Sequence, residues 1–128
     1  MIYLDSSVAL AHLLVEDRAP PQSLWDQLAT SSRLLEYEVW NRLHRGDLAR
    51  SHGDAARELI ARLALLELTP IVLTRALEAF PTRLRTLDAL HLASIEFLRG
   101  QGQAVEFATY DERMAGAARA LGIRLVAL

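Results

Sequence analysis

The sequence predicts an α/β fold: a parallel sheet covered by helices on both faces. Three observations carry this. Short apolar or β-branched runs alternate with longer stretches of helical periodicity from one end of the chain to the other. Proline, glycine or aspartate punctuates most of the boundaries between them. Acids recur just past the short runs, on the side where parallel sheets present their ligands.

In chain order, "IYL" at residues 2–4 is a short strand closed by Asp5, and Ser6 and Ser7 can cap a helix through Leu14. "APPQ" breaks the chain, and "SLWDQLA" reads as a short helix. "ATSS" at 29–32 is a brief strand, followed by a helix from about Arg33 to Arg50. Gly53 and Asp54 restart helix through about Leu66. "LTPIVLT" at 68–74 is rich in β-branched residues and reads as a strand, with a short helix around Arg75–Phe80 after it. "TLDALHLAS" opens a helix that runs to Arg99, with Thr86 as a possible cap and Gly100 as its stop. "AVEFAT" is the next strand, "DERMAGAARAL" a helix ended by Gly122, and "IRLVAL" a final strand.

With 128 residues, 52% of them apolar, the chain makes one domain spanning 1–128 with a substantial core. A net charge of -2 does not suit a general nucleic-acid binder that works by neutralising phosphates. Any nucleic acid must be met by a local patch or a metal. The absence of cysteine excludes disulfides, zinc–thiolate sites and thiol catalysis. All 14 basic residues are arginine, which excludes lysine chemistry. The first residues lack a basic leader, and no apolar run reaches membrane-spanning length, so a soluble, cytoplasmic protein is expected.

Each acid has a plain structural explanation when taken alone. Asp5 can cap the helix after it, and Asp88 lies in a first turn, where the helix dipole favours negative charge. Thr109 and Glu112 have capping-box spacing, which makes Asp111 a first-turn acid, and Glu38 can pair with Arg42 one turn on. Glu36 and Glu38 point to different sides of their helix, and pattern alone does not choose between them. A parallel sheet would nevertheless bring Asp5, Glu38, Asp88 and Asp111 to one edge. Two carboxylates 4 Å apart repel by about 4 kcal/mol at an effective dielectric near 20. Such a cluster takes up protons or binds a cation, and oxygen-only ligands favour Mg²⁺ or Mn²⁺.

Four blocks carry a resemblance: "YLDSSVAL", "SSRLLEYEV", "LRTLDALHLAS" and "ATYDERMAGAARALGI". In this order and spacing the chain resembles the PIN-domain family, and within it the VapC-type ribonuclease toxins of toxin–antitoxin systems. The resemblance implies a three-layer fold around a parallel sheet of about five strands. It implies a Mg²⁺- or Mn²⁺-dependent endoribonuclease that cleaves phosphodiesters with metal-activated water and leaves a 5′-phosphate. Asp5, Glu38 and Asp88 match the family's near-constant acids, selecting Glu38 over Glu36, and Asp111 matches a fourth, more variable one. Ser6 and Thr109 match small hydroxyl positions beside the metal. The implied partners are RNA, a small VapB-type antitoxin and a second copy of the chain. Arg42, Arg45, Arg83 and Arg85 are the candidates for RNA phosphates, which suit the guanidinium fork. His91 falls between Leu87, Ile95 and Leu98 and reads as a hydrogen-bonded core histidine.

Other Mg²⁺ folds fit less well. A receiver domain needs a lysine, a haloacid-dehalogenase-like phosphatase needs Asp-x-Asp after the first strand, and a dinucleotide-binding module needs early glycines. The first glycine here is Gly46. The remaining alternative is a catalytically silent PIN-like module that binds protein or RNA.

Overall fold

The computed structural model describes residues 1–15 and 19–128. Five strands form one sheet: β1 (Ile2–Leu4), β2 (Ala29–Ser32), β3 (Ala64–Leu66), β4 (Glu106–Ala108) and β5 (Arg124–Leu125). Their order is β3-β2-β1-β4-β5, and every pairing is parallel. The helices are α1 (Ser6–Leu14), α2 (Arg33–Arg45), α3 (Ala49–Ala61), α4 (Pro70–Ala76), α5 (Thr86–Gly100) and α6 (Glu112–Ala120), with a 3-10 helix at Gln22–Asp26 where the "SLWDQLA" helix was expected.

Alternation along β1 sorts the core into two halves. Ile2 and Leu4 face Val8, Leu35, Val39, Leu43 and Leu59 of α1, α2 and α3. Tyr3 faces the other way, toward Leu92, Ile95, Phe107, Met114 and Ala117 among α5, β4 and α6. The sheet is therefore the middle of three layers, as expected. Among the described residues no helix is long and apolar enough to cross a membrane.

Three boundaries differ from expectation, each for a local reason. The long helix after β2 stops at Arg45, because Asp47 adopts a left-handed φ of 54° and Leu48 N–H turns back to Leu43 O at 2.8 Å. Gly53 does not restart a helix. It lies buried inside α3, where a Cβ would meet Trp40 Cη2 at 3.2 Å, so its bareness permits close approach to α2. The third difference moves a strand. Residues 68–74 are not extended: Pro70 occupies the first turn of α4, where its fixed φ and missing N–H suit a helix start. The strand is instead Ala64–Leu66, the end of the stretch read as helix, which pairs with Thr30, Ser31 and Ser32 of β2. The expected helix at 75–80 is correspondingly displaced to 70–76.

Candidate functional site

Chain order reverses between β1 and β4: the connection from β1 leads to β2 on one side, while β4 lies on the other. Open parallel sheets bind ligands at such a point, beyond the carboxyl ends of the strands. Asp5 leaves β1 there and Thr109 leaves β4, so the first acid and the last hydroxyl meet at the crevice.

Asp5 is buried and caps α1, which places the cap one residue before the two serines. Its Oδ1 accepts Ser7 N–H at 3.0 Å, Val8 N–H at 3.4 Å and the Ser7 hydroxyl at 2.5 Å. Its Oδ2 accepts the Thr109 hydroxyl at 2.5 Å. The two hydroxyls also lace the neighbouring loop: Ser7 Oγ accepts Tyr110 N–H and Thr109 Oγ1 accepts Asp111 N–H, each at 2.9 Å. Burial pushes the Asp5 carboxyl above its ordinary pKa, and the Ser7 and Thr109 hydroxyls oppose that rise.

Asp111, not Thr109, caps α6, its Oδ1 accepting Arg113 N–H at 2.9 Å and Met114 N–H at 3.2 Å. The capping-box pairing of Thr109 with Glu112 does not form. Thr86 does not cap α5 either; it is the first helical residue, and Arg85 holds the cap position without a side-chain bond. Asp88 lies half-buried in that first turn. Its carboxyl is pushed above the ordinary range by burial first and by the nearby Asp111 second, with Glu38 adding in the same direction.

Glu38 reaches the same place from α2. Its Oε1 lies 2.5 Å from His91 Nε2, and its Oε2 accepts the Ser6 hydroxyl at 3.3 Å. Glu36 turns away to Arg33 at 3.1 Å, so the geometry separates the two glutamates as the motif does. The expected Glu38–Arg42 pair is not made. The Arg42 guanidinium lies by Gly46, toward the far end of α2.

Asp88 and Asp111 share a cleft of about 460 Å³ with Arg85, Glu112 and Arg113. Of the four arginines proposed for RNA, Arg85 lines it. Arg45 closes α2 at its far end and Arg83 lies exposed in the loop before α5. Arg113 was not singled out in the sequence, though its place two residues after Asp111 was a signal. His91 is buried as expected, yet it also touches Glu38, which its position one turn after Asp88 permitted. The sequence marks Ser7 only as a cap; in the fold it is the residue most involved with Asp5, through both its N–H and its hydroxyl.

Among the described residues no three histidines, aspartates or glutamates converge closely enough to hold an ion as they stand. The donors nevertheless suit a hard cation. They are all oxygens, and neither Asp5, Asp88 nor Asp111 is paired with a basic side chain among the described residues. Asp88 and Asp111 also carry mutual repulsion that a cation would relieve.

The PIN domain family model matches residues 2–120, nearly the whole chain. This chain belongs to the PIN-domain family. Within it, the PIN protein is of the VapC type: it is 40% identical to Ribonuclease VapC46 of Mycobacterium tuberculosis, over 98% of this chain and 96% of that protein. It is 32% identical to Ribonuclease VapC47 of the same species, over 95% of this chain and 93% of the relative. Ribonuclease VapC35, also from that species, matches at 32% over 99% and 96%. In this PIN chain Asp5 follows β1, Glu38 lies on α2, Asp88 on α5, and Asp111 stands between β4 and α6.

Proposed function

We propose that this protein is a divalent-metal-dependent endoribonuclease, the toxin of a VapC-type toxin–antitoxin pair. The observation that carries the reading is the state of Asp5 and Asp88: burial raises both, the nearby Asp111 and Glu38 raise Asp88 further, and neither makes an ion pair with a basic side chain among the described residues. Its VapC-named ribonuclease relatives, aligned over nearly their full lengths, point the same way.

Asp5, Glu38, Asp88 and Asp111 would hold Mg²⁺ or Mn²⁺. The ion, when bound, supplies an activated water and charge stabilisation at the scissile phosphate. The chain's own part is positioning. Ser7 and Thr109 fix the Asp5 carboxylate against rotation, and Ser6 steadies Glu38 from the same turn. Arg85 and Arg113 stand at the cleft wall, where a guanidinium can take a neighbouring RNA phosphate. The whole chain, 1–128, acts as one nuclease unit in the cytoplasm. Its partners on this reading are RNA, a small VapB-type antitoxin and a second copy of itself.

The deciding experiment incubates a mixed RNA pool with the wild type and Asp88→Asn in Mg²⁺, Mn²⁺ or EDTA. Cleavage by the wild type alone, stopped by EDTA, is expected. Uncleaved RNA together with metal-dependent thermal stabilisation would favour the silent binding module, a reading helped by the way Asp5 is already engaged as a helix cap.

A further inference from the structure

Behind the crevice runs a line of side chains that the hydrolytic reading does not use. Tyr3, in the middle of β1, is fully buried, and its hydroxyl lies 2.7 Å from His91 Nδ1. The opposite ring nitrogen, Nε2, meets Glu38 Oε1 at 2.5 Å, and the imidazole is 1% exposed. Tyr3 packs edge-on against the ring, with centroids 5.8 Å apart, and Phe107 packs in turn against Tyr3. The ring is held in plane and in place.

The donors and acceptors then assign themselves. Where Glu38 Oε1 acts as the acceptor of this contact, the geometry points to Nε2 as its donor. With the proton on Nε2, the Tyr3 hydroxyl is the group placed to donate to Nδ1. The consequence reaches beyond one bond. Glu38 belongs to α2, while His91 lies on α5 one turn after Asp88, so this contact ties two acids from opposite faces of the sheet into one geometry.

We propose that His91 is a positioning residue for Glu38, with Tyr3 selecting the ring tautomer that holds the carboxylate toward the ion. This rests on the reading of the four acids as an ion site. A carboxylate oriented by an outer hydrogen bond needs less rearrangement to bind metal, and loss of such a partner typically weakens metal affinity about 10–100-fold.

The test is calorimetric titration of Mn²⁺ into metal-stripped wild type, His91→Leu, His91→Gln and Tyr3→Phe, with ¹⁵N-histidine NMR of the metal-free wild type. His91→Leu should weaken Mn²⁺ binding about 10–100-fold. His91→Gln, whose amide N–H₂ reaches the place of Nε2, should recover most of that loss, and RNA cleavage should follow the same order. Tyr3→Phe should fall between. The NMR should show a proton on Nε2. Wild-type affinity in His91→Leu, no recovery in His91→Gln, or an Nδ1–H ring with bare Nε2 would overturn the assignment. If His91→Leu proves unfolded by circular dichroism, the Gln and Phe variants carry the comparison, and loss of affinity in Tyr3→Phe exceeding that in His91→Gln supports it. A wild type that binds no Mn²⁺ defeats the ion reading itself, and does so before any substitution is made.

Discussion

Asp5 shows how a single carboxylate serves structure and site together. It caps α1, accepts two hydroxyls and sits at the crevice, so its substitution would confound fold with activity. Thr109 offers a cleaner probe. Thr109→Val removes the donor to Asp5 Oδ2 and the acceptor for Asp111 N–H. Leaving a buried carboxylate oxygen without a partner should cost about 1–3 kcal/mol, read by urea denaturation. Asp88→Asn should do the reverse in the metal-free protein, because it removes one of the repelling charges while staying half-buried in the first turn of α5. A lower melting temperature for that variant in EDTA would assign Asp88 to helix stabilisation.

The same charges set a pH dependence. Asp5 and Asp88 hold their protons more tightly folded than at the ordinary aspartate value of 3.8, Asp5 through burial and Asp88 through burial and Asp111. The folded state therefore binds more protons than the unfolded one above that value. Stability from this source is complete below pH 3.8 and is lost as pH rises through the raised values. Metal-free melting temperatures should show this decline, superimposed on other titrations, and Asp88→Asn should flatten it. A slope unchanged by Asp88→Asn would count against repulsion at this residue.

Among the secondary elements, turns decide more than propensities. Gly122 ends the turn between α6 and β5 with φ at +74°, a conformation that L side chains rarely adopt. Gly122→Ala should destabilise by about 1 kcal/mol through backbone strain, since its Cβ would find room beside Arg99. Thermal melts check the loss, and RNA cleavage below the melting range should remain. The segment 68–74 teaches the complementary lesson. Ile71 and Val72 favour extended backbone, but Pro70 starts a helix and Val72 buries on its inner side.

For the molecule as a whole, Asp5, Asp88 and Asp111 make no ion pair with a basic side chain among the described residues. A cation that binds the folded state alone stabilises it by about 2.7 kcal/mol at a hundred times its dissociation constant. Mn²⁺ or Mg²⁺ should accordingly raise the melting temperature, EDTA should reverse the rise, and Asp88→Asn should abolish it. Unchanged melting in wild type with saturating Mn²⁺ would leave the acids without the ion proposed for them.

Local chemistry was enough to read four of the strands, the three-layer arrangement and the acids that follow β1 and β4. "IYL", "ATSS", "AVEFAT" and "IRLVAL" all contain the strands found, and helix starts and stops were legible to within a few residues except around α3 and α4. The third strand was not legible, because "ALL" at 64–66 has no strand signal of its own and becomes one by pairing with the open side of β2. Nor was the line from Tyr3 through His91 to Glu38. Its first bond joins residues 88 apart in the chain and its second residues 53 apart, so no periodicity records it. Periodicity reports which side of a helix is buried; which polar atom waits there depends on elements that meet only when the sheet closes.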